Sequence, residues 1–366
     1  MLTLLLLSNN MVQMEVVMEY KLGIIGYGGM ASWHHRNSVK VPGLKVTSAF
    51  DIDPERLKVA AESGLKIYDD INDFLTNGDF SIVLVATPNN FHKYYSVMAM
   101  EAKKHVVCEK PVAMNLEELD EMIEASKKNN VLFTVHQNRR WDRDYRIVKQ
   151  ILSENTIGKP YTIESRVHGQ NGVMHGWRAY KVAGGGMLFD WGVHLIDQML
   201  YMVDEKVTEV YCQLFSIKTP EVDDYFKLIL RFESGLSAQI EVGTYCLEKM
   251  PRWYVNADQG SVIVKNWECE GKITKASQIV MEWEPEVVQT VGGPTRTMAP
   301  RPKETLEELE LPKIQSEWAE YYKNVISYLN KKDDIIVKQG ELRRVMKVIE
   351  AAFESDKLHQ SIKCNI

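Results

Sequence analysis

From Tyr20 to about Gln137, short apolar runs alternate with helical patterns, and this alternation constrains the fold more than any other feature of the chain. The runs at 21–25, 44–50, 82–86, 105–107 and 131–135 read as strands. Between them, 54–63, 92–102 and 116–129 repeat apolar residues at three- and four-residue spacing and read as helices. Strands separated by helices imply a parallel sheet covered on both faces. Asn115, with Glu118 three residues on, reads as an N-cap with its capping box.

After Asn138 the pattern changes. A helix over 142–153 is followed by β-type runs at 161–168, 207–215, 225–232, 237–244 and 261–265. Alternation within them, and turns at Glu233-Ser234-Gly235 and Asp258-Gln259-Gly260, predict a largely antiparallel sheet. A proline-bearing stretch at 285–312 reads as a surface excursion, and helices return at 317–329 and 339–355. The fold expected is α/β in two domains, 18–137 and 138–366, and 366 residues suffice for a core in each. Residues 1–17 carry an apolar patch at Leu4–Leu7 without a basic start or cleavage site, too short to span a bilayer. They read as a leader, disordered or misassigned, because Met11, Met14 and Met18 are all possible starts. A net charge of -6 leaves no footprint for nucleic acid and no polybasic membrane patch. Five scattered cysteines with no Cys-x-x-Cys argue for reduced thiols in a cytoplasmic compartment, with no disulfide frame and no metal site.

Gly26-Tyr27-Gly28-Gly29-Met30-Ala31 directly follows the first strand. Glycine at 26 permits a tight turn, glycine at 28 lets backbone approach a pyrophosphate, and Ala31 takes the small position where helix packs on strand. Asp51 ends the second strand, where a carboxylate accepts hydrogen bonds from an adenosine ribose; the other reading is a helix cap, and Asp53 reads as that cap. Ile52 and Asp53 offer no arginine for a 2′-phosphate, which favours NAD over NADP. Thr87, Pro88 and Asn89 lie beyond another strand end, placed to meet phosphates or the nicotinamide ribose, and His92 reads mainly as a helix-start residue.

Glu109-Lys110-Pro111 follows the strand at 105–107. A lysine at that edge can hydrogen-bond a substrate hydroxyl and stabilise alkoxide character as hydride leaves carbon. In Gly184-Gly185-Gly186-Met187-Leu188-Phe189-Asp190-Trp191-Gly192-Val193-His194, three glycines let backbone pass close to a ligand. A helix starting near Asp190 would put Asp190 and His194 on one face, with the positive helix end keeping the histidine neutral and Asp190 orienting its ring. Asp197 shares that face and reads as structural, as do His34, His35, His136 and His359. Asn138-Arg139-Arg140-Trp141-Asp142 is either an interdomain packing segment or part of the substrate site, and His168, Trp177, Arg178 and Tyr180 are candidates to line a polar ring substrate.

With these residues together, the chain resembles the Gfo/Idh/MocA family, the glucose–fructose oxidoreductase and inositol dehydrogenase relatives. The shared pattern runs from the glycine turn through Ala86-Thr87-Pro88-Asn89 and Glu109-Lys110-Pro111 to Gly186-x-x-x-Asp190-x-Gly192-x-His194-x-x-Asp197. The resemblance implies an N-terminal Rossmann dinucleotide-binding domain and a C-terminal α/β domain whose large, open, mostly antiparallel sheet serves homo-oligomerisation. It implies Lys110, Asp190 and His194 as the catalytic set, with His194 as acid/base. The cofactor residues expected are Gly26, Tyr27, Gly28, Gly29, Met30, Asp51, Thr87, Pro88, Asn89, His92, Glu109 and Lys110. The substrate residues expected are Lys110, Arg140, Trp141, His168, Trp177, Arg178, Asp190 and His194. The leading function is NAD-dependent oxidation of a ring secondary hydroxyl, with C3 of a glycoside favoured narrowly over a cyclitol. NAD-assisted glycosidase action and a non-catalytic NAD or sugar sensor are the alternatives.

Overall fold

The computed structural model describes residues 18–366; the leader read at 1–17 lies outside them. Strands β1 (Tyr20–Ile25), β2 (Leu44–Phe50), β3 (Lys66–Tyr68), β4 (Ile82–Val85), β5 (His105–Cys108) and β6 (Phe133–Val135) form one sheet in the order β3-β2-β1-β4-β5-β6. Every pair in it is parallel. The order reverses between β1 and β4, the crevice where doubly wound sheets bind their ligands. Ile24, Ile25 and all four residues of β4 are fully buried, as a sheet covered on both faces requires. Its helices are α1 (Gly29–Ser38), α2 (Pro54–Glu62), α3 (Ile71–Asn77), α4 (His92–Glu101) and α5 (Leu116–Asn129). β3 and α3 escaped the sequence reading because they are short and half-exposed, which leaves little periodicity to detect.

Local chemistry sets the helix ends. Asp53 caps α2 by accepting the Glu55 N–H at 3.0 Å. Asn115 accepts the Glu118 N–H at 2.8 Å, but the Glu118 carboxylate reaches past the cap to the Met114 N–H (2.9 Å), so the expected box is displaced by one residue. Leu119, Met122 and Ile123 then put one face of α5 into the core, each contributing about 1.5–3 kcal/mol of burial.

The second sheet holds β7 (Pro160–His168), β8 (Val207–Phe215), β9 (Tyr225–Phe232), β10 (Ser237–Gly243), β11 (Trp253–Ala257), β12 (Gly260–Val264), β13 (Gly271–Ala276), β16 (Leu306–Leu309) and β17 (Ile362–Lys363). Its order is β16-β13-β12-β11-β7-β10-β9-β8-β17, with β7 and β10 parallel and the other neighbours antiparallel. Phe226, Leu228, Leu230 and Ile240 are buried on its inner face, over which lie α7 (Val193–Met202) and α9 (Gln339–Leu358). α6 (Arg143–Ser153) fixes the far side, where the Asp144 carboxylate accepts from the Trp253 indole N–H at 2.9 Å. The 285–312 stretch is more ordered than an excursion: it forms the hairpin β14 (Val288–Thr290)/β15 (Gly293–Thr295), and β16 pairs with β13. α8 (Ala319–Leu329) crosses back to the first sheet, packing Tyr321 and Tyr322 on His136 and His34. Among the described residues no helix is long and apolar enough to cross a membrane.

Candidate active site

A cleft of about 400 Å³ opens at the carboxyl edge of the first sheet. Gly28, Gly29 and Met30 enter it from the turn after β1, Thr87, Pro88 and Asn89 from the end of β4, and Lys110 from the end of β5. Gly26 sits at φ +87°, and a Cβ there would meet the Ala86 carbonyl at 3.0 Å. The start of α1 has no side-chain cap and no acidic residue in its first turn, so its N–H groups and positive end remain for an anion. The Thr87 hydroxyl is buried with no hydrogen-bond partner. An open glycine turn, an uncapped helix start and an orphaned hydroxyl all fit a dinucleotide diphosphate and ribose.

Two cofactor assignments change in detail. Tyr27 turns inward, its N–H donating to Asp51 (2.6 Å) and its hydroxyl meeting His35 (2.8 Å). Asp51 also accepts from the Asp53 N–H at 2.9 Å and is almost wholly buried, so it braces the turn. Arg56 is the cation that borders the cleft here, 3.7 Å from Asp51. It lies beyond Ile52 and Asp53, and only the helical turn of α2 brings it back.

Lys110 Nζ donates to the Asp190 carboxylate and to the Asp190 backbone carbonyl, both at 2.9 Å. An ammonium has three donors, so one remains for a substrate oxygen. The Lys110–Pro111 bond is cis. The other Asp190 oxygen accepts from Arg178 Nε at 3.2 Å. Burial opposes the charge on Asp190, but Lys110 and Arg178 outweigh it and lower its pKa. Asp190 therefore orients Lys110, correcting the expectation that it orients His194. The His194 imidazole is buried, borders the cleft, and has no partner for its Nδ1. Burial first, then Lys110, hold its pKa well below the ordinary histidine value.

The helix carrying these groups starts earlier than expected. Leu188–Gly192 form one π-helical turn, the Val193 N–H reaching back to the Leu188 carbonyl, before α7 begins. His194 is thus in the second turn, and burial rather than the helix end keeps it neutral. The glycines before it answer to protein neighbours rather than to a ligand. Gly186 has φ +104°, and a Cβ there would stand 2.2 Å from Asp223 Oδ1. Asp223 accepts from the Leu188 N–H (2.7 Å), anchoring the turn; burial pushes its carboxyl up to about 7. Asn89 ties the opposite wall down by donating to the Gly184 carbonyl at 2.7 Å.

Beneath Lys110, one oxygen of Glu109 accepts from His34 Nε2 (2.7 Å) and His136 Nδ1 (2.9 Å), while Tyr322 bonds His34 Nδ1 at 2.8 Å. All four residues are buried. Burial disfavours the Glu109 carboxylate, but His136 and His34 outweigh it and hold its pKa well below the usual range. Glu109 borders the cleft, yet its carboxylate is committed to these rings. His92 is fully buried, its ring nitrogens 2.7 and 2.9 Å from the Pro111 and Thr87 carbonyls. It positions both loops and does not face the cleft, which corrects its place among the cofactor residues.

The substrate candidates divide. Trp177 and Arg178 border the cleft. Arg140 does not: its guanidinium is buried in a bidentate pair with Asp197 (2.7 and 2.6 Å), with further bonds to Glu341 and the Ile336 carbonyl. Trp141 is buried edge-on to Tyr321. His168 bonds Glu241 at 3.2 Å in a neighbouring chamber, and Tyr180 is exposed outside the cleft. Of the block read as packing segment or substrate site, Asn138 and Arg139 border the cleft; Trp191 and Arg56 border it too and were not singled out in the sequence, and the Arg139 guanidinium lies 4.1 Å from the Trp191 indole centroid.

Known proteins share this fold. Residues 20–137 match the oxidoreductase family with an NAD-binding Rossmann fold, and residues 145–263 match the GFO/IDH/MocA C-terminal domain. The crystal structure of an NAD-binding protein from Listeria innocua is 42% identical, covering 95% of this chain and 100% of that one at a TM-score of 0.92. Myo-inositol 2-dehydrogenase of Thermotoga maritima is 30% identical over 228 residues, 60% of this chain and 67% of that protein. The scyllo-inositol 2-dehydrogenase (NADP(+)) IolW of Bacillus subtilis is 26% identical over 350 residues, 93% of this chain and 95% of that one. The two family models cover the doubly wound sheet and much of the second sheet, and the Listeria innocua protein matches along nearly the whole chain: the chain belongs to the Gfo/Idh/MocA family of NAD-binding oxidoreductases.

Proposed function

We propose that the protein oxidises a ring secondary alcohol of a sugar or glycoside, with C3 of a pyranoside as the favoured position and a 3-keto sugar as product. The observation that carries this reading is Lys110, fixed by two bonds to Asp190 with its third donor spare, in one cleft with a neutral His194. Bound NAD supplies the hydride acceptor. Lys110 donates to the substrate oxygen and stabilises its alkoxide character. His194 takes the hydroxyl proton, so the alcohol loses a hydride from carbon and a proton from oxygen. Arg178 and Trp177 border the cleft as a cation and a ring face for a hydroxylated ring.

A cyclitol is the second reading, supported by the inositol dehydrogenases among the relatives. The test is nicotinamide reduction, read by absorbance, with hexoses, glycosides and inositols, and Lys110→Ala as control. Substrate-dependent reduction that the variant lacks supports the assignment. Sugar products forming with no net reduction would favour an NAD-assisted glycosidase instead. Binding without turnover, unchanged in the variant, would favour a sensor. A cytoplasmic location, a homo-oligomeric state and the division of the chain at residue 138 belong to the same proposal; light scattering of the purified protein tests the oligomer.

A further inference from the structure

Beside the cleft lies a second chamber of about 300 Å³, and the two share Arg178 and Trp191 in their walls. Val173, Met174, Met187 and Val242 supply much of its surface, and the last three are buried. Two of the polar side chains at its border, His168 and Thr244, are already committed, and Asn171 is exposed at its rim. His168 bonds Glu241 through Nε2 (3.2 Å) and accepts from the Met250 N–H through Nδ1 (3.3 Å). The Thr244 hydroxyl donates to the Gly172 carbonyl at 2.7 Å. The wall is held in place: the Gly172 N–H donates to the Thr244 carbonyl (2.8 Å) and the Met174 N–H to the Thr219 hydroxyl (3.3 Å). Trp191 is held by Arg139 stacked on its face. Arg178 is joined to Asp190 by one 3.2 Å contact, lies 4.5 Å from the Trp177 ring centroid and is partly exposed, so it is the more movable part of the partition.

A free hexose or cyclitol presents hydroxyls in every direction, and burying them against apolar walls without partners is unfavourable by roughly 1–3 kcal/mol each. An apolar cavity of about 150 Å³ takes up benzene, so this one has room for an aromatic ring or a short alkyl chain. We propose that the chamber receives an apolar aglycone, so that the ring alcohol presented to Lys110 and His194 belongs to a glycoside with a hydrophobic substituent. This rests on the reading of the cleft as a ring-alcohol oxidoreductase and narrows its substrate class. Arg178, already stacked over Trp177, then acts as a specificity residue whose release from Asp190 joins the two compartments.

The test uses the full chain loaded with NAD and a matched pair of ligands, methyl and phenyl glucoside in both anomers. Calorimetry measures binding, and nicotinamide absorbance measures turnover. The phenyl glucoside should bind on the order of 10- to 100-fold more tightly than the methyl glucoside. Val173→Trp, at a half-exposed position where a larger side chain fills the chamber without disturbing the core, should remove that preference and leave the methyl compound unchanged. Equal affinity for the pair, no binding of either, or equal weakening of both by Val173→Trp would overturn the proposal. The binding preference without nicotinamide reduction would uphold the chamber and refute the reading of the cleft as oxidising the ring alcohol of these glucosides. Reduction with both compounds at equal kcat/KM would refute the chamber and leave that reading standing.

Discussion

Arg139 and Arg140 are adjacent in the chain, and Asp190 and Asp197 are seven residues apart, yet the structure sorts them into two different devices. Arg140 and Asp197 are each about 2% accessible at the side chain, and four of the guanidinium's five donors are taken up by protein partners. Burial opposes the charge on Arg140, but Asp197 and Glu341 outweigh it. Lys110 and Asp190 are 15% and 13% accessible, and the ammonium keeps a donor to spare. Both pairs are close and well formed. A spare donor facing the cofactor cleft distinguishes the pair proposed as functional; a pair at about 2% accessibility, held by four bonds away from that cleft, is architecture.

Substitution should separate the two. Arg140→Met strands Asp197 in the interior, and about 3–5 kcal/mol of stability should be lost in denaturant unfolding while the folded fraction keeps its kcat. Lys110→Ala should do the reverse, lowering kcat by roughly 10²–10³ with little change in the unfolding midpoint. Gly186→Ala probes the scaffold between them. Its positive φ alone costs about 1–3 kcal/mol, and the clash with Asp223 should also displace Asp190, so stability and kcat fall together.

Acidity sharpens the same contrast. As the proposed base, His194 acts only when neutral, and its pKa is lowered by burial and Lys110, so kcat/KM should hold as pH falls through about 6.5 and drop only below it. Stability behaves differently. His136, lowered to about 4 chiefly by burial and then by His34, stays neutral in the folded protein where the unfolded chain takes up a proton. Its contribution to stability is therefore present above the ordinary histidine pKa and lost as pH falls from about 6.5 toward 4. His136→Gln should flatten that part of the stability curve. The smallest effect is expected for Arg56→Ala: a half-exposed cation at the cofactor end contributes about 0.5–1 kcal/mol, so KM for NAD should rise two- to fivefold with kcat unchanged.

Much of the site was legible because its signals are local. The glycine turn, Lys110 at a strand end and the spacing from Asp190 to His194 each lie within a dozen residues, and strands such as Leu44–Phe50 and Tyr225–Phe232 have the bounds that alternation predicts. What escaped is set by distant partners. Nothing in Arg139-Arg140 says which side chain meets Asp197, fifty-seven residues further on for Arg140. The three glycines suggested room for a ligand, but Gly186 answers to Asp223. Glu109 joins His34 and His136 only once β5, α1 and β6 are packed, and Tyr322 comes from the far end of the chain. The Asp190 assignment failed for a related reason: a spacing of four gives a shared helix face, whereas the partner is decided by the strand end beneath it.

The most direct test is a single turnover of the NAD-loaded protein with a glycoside deuterated at C3, compared with its protiated twin, in the wild type and in Lys110→Ala. Nicotinamide reduction should be slowed by deuterium in the wild type and nearly absent in the variant at saturating NAD, with circular dichroism unchanged between them. Reduction at the same rate in Lys110→Ala, or deuterium that never reaches the nicotinamide, would contradict the assignment of this cleft to ring-alcohol oxidation.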